Sequence, residues 1–168
     1  NPSLYYRSFQ LEKTKQKKSD KKKIFSYLRK KKDSFEDITW YSDASSPQYD
    51  DQNGFYVYFG MSGTTKLTLR LRIQYHSTEW LFINSVRVKV DGEQFDLSTS
   101  DWKRDNSGYY VWEWSDEPLQ DRDVIEKIIE SKSAVLRFEG DQYFDTKTIT
   151  LTQKRALKHV LQAYDLSD

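Results

Sequence analysis

Residues 66–75 alternate without a break. Leu67, Leu69, Leu71, Ile73 and Tyr75 interleave with Lys66, Thr68, Arg70, Arg72 and Gln74. A period of two puts all five apolar side chains on one side of an extended chain. Such a strand needs a sheet with one covered face and one wet face. No other stretch constrains the fold as tightly, and its neighbours extend the pattern. Phe35–Tyr41 reads as a first strand and Phe55–Phe59 as a short aromatic one, with a loop of turn formers at 42–54 and a turn at 60–65. Trp80–Ile83 reads as a strand buried on both faces, anchored by Trp80 and Phe82 and running into Val86, Val88 and Val90. Asp91-Gly92 follows at once, and Asp-Gly before Glu93–Leu97 is a hairpin signal, because both turn residues need positive φ.

A second polar loop spans 98–108 and a strand Tyr109–Trp114. Ala134–Phe138 and Gln142–Ile149 flank Glu139-Gly140-Asp141 as a further hairpin, where Arg137 and Asp145 suit a cross-strand pair. Two helices show 3.6-residue spacing. One has Val124, Ile125, Ile128 and Ile129 behind Asp121 or Asp123 as cap. The other opens at Thr152 and gathers Ala156, Leu157, Val160, Leu161 and Tyr164. The expected class is α+β: mainly an antiparallel β-sandwich or open barrel, with two amphipathic helices in the C-terminal half and a basic N-terminal helix or arm.

Charge divides the chain near Asp33. Residues 1–33 hold 12 basic and 3 acidic side chains, whereas 34–168 hold 15 basic and 23 acidic ones. The reading is a basic arm over 1–33 and a single β-rich domain over 34–168. The second half of the arm reads as a short helix capped by Ser19 or Asp20, with Ile24, Phe25 and Leu28 on one face. Three uses compete for its cations: a solvated arm docked on the body, contact with an acidic surface, or attraction to anionic lipid or nucleic-acid phosphate. Lys21, Lys22, Lys23, Arg29, Lys30, Lys31 and Lys32 are the candidate anion contacts. The net negative body opposes a general nucleic-acid role.

No stretch approaches the roughly 18 apolar residues of a transmembrane helix. With no cysteine, disulfide scaffolds, thiolate zinc sites and cysteine nucleophiles are excluded. The chain starts at Asn1, without an apolar stretch that reads as a signal, so any leader is expected upstream. His76 and His159 have no second histidine at ligand spacing and read as surface or edge residues. Gly60-Met-Ser-Gly63 lacks the spacing of a nucleophile elbow and reads as a turn. Asp50, Asp51 and Asn53, like Asp101, Asp105 and Asn106, offer oxygen ligands without a calcium-loop spacing. No pair for glycoside hydrolysis stands out among 26 acidic residues. The sequence calls for no cofactor. Tyr109, Tyr110, Trp112 and Trp114 are the candidate contact set for a protein or glycan partner, the alternative being that they fill the core.

Trp80–Gly92, Ala134–Asp145 and Gln153–Tyr164 together resemble segments of small, uncharacterised bacterial β-rich domains of the exported or lipoprotein-like kind. The resemblance covers roughly 35–166. It implies a cell-envelope or secreted setting and supplies no catalytic residues. The resulting expectation is a non-enzymatic binding or accessory domain of the bacterial envelope. The alternatives are a cytoplasmic module contacting nucleic acid or anionic lipid through residues 13–32, and a hydrolase built on loop carboxylates.

Overall fold

A computed structural model describes residues 2–167, so Asn1 and Asp168, the outer ends of the two expected segments, lie outside the described residues. The alternating stretch forms β5 (Arg70–Ser77) at the centre of the larger of two antiparallel sheets. Around it lie β1 (Leu28–Asp33), β2 (Ile38–Asp43), β3 (Gly54–Ser62), β4 (Thr65–Lys66), β8 (Lys103–Asn106) and β9 (Val111–Pro118). Their order is β1-β2-β3-β5-β9-β8, with β4 beside the end of β3. The smaller sheet runs β11-β10-β6-β7, from β6 (Ser85–Val90), β7 (Glu93–Leu97), β10 (Ala134–Glu139) and β11 (Phe144–Thr148). The helices are α1 (Pro2–Phe25), α2 (Arg122–Glu130) and α3 (Leu151–Asp165). The architecture is therefore α+β, with two sheets not closed into a barrel and two helices in the C-terminal half.

Parity builds the core. Phe55, Val57, Phe59, Leu71, Ile73 and Tyr75 face inward from the large sheet, and Val86, Val88, Leu136 and Phe138 from the small one. Tyr75 meets Phe138 at 5.1 Å between ring centroids. Phe55, Phe59, Phe138, Ile73 and Leu157 are 1% exposed or less, each worth roughly 1.5–3 kcal/mol. Val124, Ile125 and Ile128 of α2 and Ala156, Leu157, Val160 and Leu161 of α3 close the open side. The α3 helix begins at Leu151, one residue earlier than its spacing predicts. Thr150 is its cap: its side chain accepts from Gln153 N, and Gln153 returns a bond to Thr150 N. Asp121 occupies the cap position of α2, but its carboxylate accepts from Ser98 N instead. Asp91 (φ 47°) and Gly92 (φ 90°) make the β6–β7 hairpin as expected.

Several sequence expectations are corrected. Arg29–Lys32 is strand, not helix, and Ser19 and Asp20 lie inside α1. Leu28 is buried, and the run after it pairs residue by residue with β2, giving the sheet a charged edge that resists further pairing. Charge and structure thus change at different places. Phe35 is 92% exposed in the turn before β2, where Asp33 Oδ1 accepts from the N–H groups of Phe35 and Glu36. The polar loop at 98–108 contains β8, and β9 starts at Val111 rather than Tyr109. Arg137 opposes Thr146, not Asp145; it pairs with Glu139 at 2.7 Å and lies over the Phe144 ring at 3.6 Å.

Trp80–Ile83 is not a strand either. Phe82 has φ 55° and is 46% exposed, stacked on Trp80, while Leu81 and Ile83 point inward. The cause is Glu113 of β9, fully buried on the inward parity. Its carboxylate accepts from Leu81 N (2.9 Å), Phe82 N (3.1 Å) and Ile83 N (2.8 Å), and from Arg104 Nε at 2.9 Å. Three successive amides turned toward one carboxylate are not available to a ladder.

This segment also explains Gly140, which the sequence marks only as a turn. A Cβ there would stand 2.0 Å from the Leu81 carbonyl oxygen. Gly140→Ala is expected to cost at least about 3 kcal/mol through overpacking against backbone. Gly63 has open space and φ 60°, so Gly63→Ala should cost only about 1 kcal/mol. Urea denaturation of the two variants checks the order.

Candidate functional site

Even-numbered residues of β2, β3, β5 and β9, with odd-numbered ones of β1, form a face of the large sheet that no other element covers among the described residues. Arg29 and Lys31 of β1 stand beside Trp40 and Ser42 of β2 in register. Tyr56 and Tyr58 of β3 stand opposite Arg72 and Arg70 of β5. Trp112, Trp114 and Asp116 of β9 oppose His76, Gln74 and Arg72. The same alternation that fills the core therefore puts rings and cations outside.

The loop after β2 rises along one side of this face and is tied down from below. The buried Gln74 amide donates to the carbonyls of Tyr49 and Gln52, both at 2.9 Å. Arg29 Nη2 donates to the carbonyls of Ala44 (2.6 Å) and Ser46 (3.0 Å), and Asn53 Oδ1 accepts from His76 N. Opposite stands the turn carrying Phe35. Between them lies a cleft of about 880 Å³ with Trp40, Tyr56, Tyr58 and Arg72 on its floor and Tyr49 and Lys31 at its sides. Its size falls within the range of small-molecule sites, roughly 300–1,000 Å³.

One polar network fixes the floor. Asp116 pairs with Arg70 Nε at 2.7 Å and with Arg72 Nη1 at 3.1 Å, and accepts from the Tyr58 hydroxyl at 2.6 Å. Arg72 also pairs with Asp50 and lies over the Trp114 ring at 5.7 Å. Burial, then the bond to Asp116 and its charge, push the Tyr58 phenol well above the ordinary tyrosine value. Burial likewise raises Tyr56. Asp50 and Asp116 both meet Arg72 and so act as its counter-charges. Among the described residues Lys31 makes no ion pair.

The residues singled out from sequence divide between several places. Tyr109 and Tyr110 stand exposed at the tip before β9, edge to face at 4.8 Å, with Tyr110 leaning on His76 at 4.9 Å. Trp112 and Trp114 are half-buried on the outer face, so the four form neither one exposed patch nor part of the core. Lys21, Lys22 and Lys23 belong to the last turns of α1, whereas Arg29, Lys30, Lys31 and Lys32 all line the cleft, Lys30 and Lys32 from the opposite parity of β1.

His159 ties α3 to the end of β2: its Nδ1 is 2.7 Å from Asp43 Oδ2, and its ring stacks on Tyr27 at 4.3 Å. Burial pushes the Asp43 carboxyl upward, but the Ser45 hydroxyl and N–H, with His159, outweigh it and hold Asp43 below its ordinary value. Among the described residues no three His, Asp or Glu converge as a metal site. Asp105 and Asn106 cap their own turn through Asn106 N and Gly108 N.

Sequence reasoning missed the joining of Trp40, Tyr56, Tyr58, Arg70, Arg72 and Asp116. The signal was present as shared parity across the strand runs, but only the register of the sheet shows which strands are neighbours. No protein-family model matches this chain, and neither does any curated protein or solved structure.

Both Tyr58 and Tyr75 are stabilised in the neutral form, Tyr75 being pushed up to about 12 by burial and its bond to Asp145. Their contribution to stability is therefore complete below roughly pH 10 and is lost as pH rises from there through the raised values. Asp116→Asn removes the charge that reinforces Tyr58. An ultraviolet titration of tyrosinate should show one phenol ionising earlier in this variant, and stability should fall less steeply with alkaline pH. Unchanged curves would contradict the network.

Proposed function

We propose that the chain is a binding module of the bacterial cell envelope whose cleft holds an acidic glycan. One observation carries this reading: an uncovered cleft lined by Trp40, Tyr49 and Tyr56 together with Lys31, which makes no ion pair among the described residues. Aromatic faces accept the apolar side of a sugar ring, and a fixed cation at the edge favours a carboxylate-bearing sugar over a neutral one. The floor is held by the Asp116 network and the wall by Gln74 and Arg29, so little ordering remains to oppose binding. The resemblance of the body to exported bacterial domains supports the envelope setting.

The test is a titration with oligogalacturonate, followed by tryptophan fluorescence and calorimetry, with a neutral chito-oligosaccharide as comparison. The acidic oligomer should bind at least tenfold more tightly. Lys31→Gln should abolish that preference, and Tyr49→Ala, on an exposed rim, should weaken both oligomers by about 1 kcal/mol or more. An absence of binding, or affinities indifferent to both substitutions, would refute the proposal.

A further inference from the structure

Helix α1 is 24 residues long, about 36 Å. Among the described residues its packing on the body lies near its C-terminal end. Ile24 and Phe25 pack against the core, with the Phe25 ring edge-on to Tyr41 at 5.2 Å and to Phe59 at 6.5 Å. The remainder stands away from the sheets and divides in two. Its first turns expose Leu4, Tyr5, Tyr6, Phe9 and Leu11, each between 43% and 76%. The shaft behind them carries Lys13, Lys15, Lys17, Lys18, Lys21, Lys22 and Lys23 against Glu12 and Asp20.

An isolated helix of this polarity gains little in water, and five exposed apolar side chains at its tip gain nothing there. We propose that α1 is a stalk that docks the protein on an anionic lipid surface. Tyr and Phe rings favour the headgroup level of a bilayer, and lysines just behind them reach anionic headgroups along their own aliphatic stems. A nucleic-acid duplex satisfies the lysines but leaves Leu4, Phe9 and Leu11 in water; the lipid interface satisfies both. The apolar side chains cover a broad arc of the helix rather than one narrow face: Tyr5 and Phe9 are one turn apart, Leu4 and Leu11 two turns apart on a neighbouring stripe, and Ser3, Arg7 and Gln10 hold the remaining side. The helix therefore meets the lipid through its first described turns and holds the β body off the surface.

The full chain is mixed with vesicles of phosphatidylcholine, alone or with phosphatidylglycerol, and bound protein is separated by flotation. Binding should need the anionic lipid and should weaken as salt is raised. Replacing Lys15, Lys17 and Lys18 by Gln should lower partitioning by about fivefold per lysine. Leu4→Ser combined with Phe9→Ser should lower it at least tenfold while leaving retention on a short DNA duplex unchanged. Both variants alter exposed side chains, so circular dichroism of the body should match the parent. Lys31→Gln, in the cleft, should leave vesicle binding intact, which separates this test from that of the glycan site. Partitioning indifferent to the tip variant, or equal on neutral vesicles, would overturn the proposal. Tight duplex binding without vesicle binding would do so as well, in favour of nucleic acid.

Discussion

A single buried carboxylate organises the junction of the two sheets. Glu113 sits on the inward parity of β9 with no exposure, an arrangement costing several kcal/mol for a lone charge. Three backbone amides and Arg104 compensate it, and Arg104 donates onward to the Ile83 carbonyl at 2.7 Å. The clasp joins the large sheet to the segment that leads into the small one. It also fixes which side of β9 is which. With Val111, Glu113 and Ser115 inside, Trp112, Trp114 and Asp116 are presented outside. Leu81, drawn in by the same carboxylate, presses its carbonyl on the backbone at Gly140, where only a hydrogen fits.

The outer face inherits its order from that choice. Asp116 gathers Arg70, Arg72 and Tyr58, and Arg72 in turn covers Trp114 and reaches Asp50 in the loop above. Inner packing and outer presentation are two sides of the same strands. A change that slipped β9 by one residue would bring two tryptophans inward and leave Glu113 in water. The stalk at the N-terminus is independent of this arrangement. It meets the body at Phe25, on the side of the sheet closed by α3.

How much of this was legible in the sequence varies by element. The alternation at β5, the Asp91-Gly92 hairpin and the apolar faces of α2 and α3 were readable, because local period and turn chemistry decide them. The lysine run of β1 was not: its strand state comes from pairing with β2 and from one buried leucine, both tertiary effects. Trp80–Ile83 misled for a related reason. Its composition suits a strand, but a glutamate some thirty residues on takes its amides. In β9 hydropathy alone favours the tryptophans inside, and only the clasp explains the reverse. The cleft was legible as residue types, while the register that assembles them was not.

Native-state hydrogen exchange at the amides of Leu81, Phe82 and Ile83 tests the clasp most directly. These residues lie outside any ladder, and among the described residues the Glu113 carboxylate is the acceptor of all three amides. The account predicts exchange as slow as in the central strands β5 and β9, released only by global unfolding. Exchange at the rate of an open loop would contradict it.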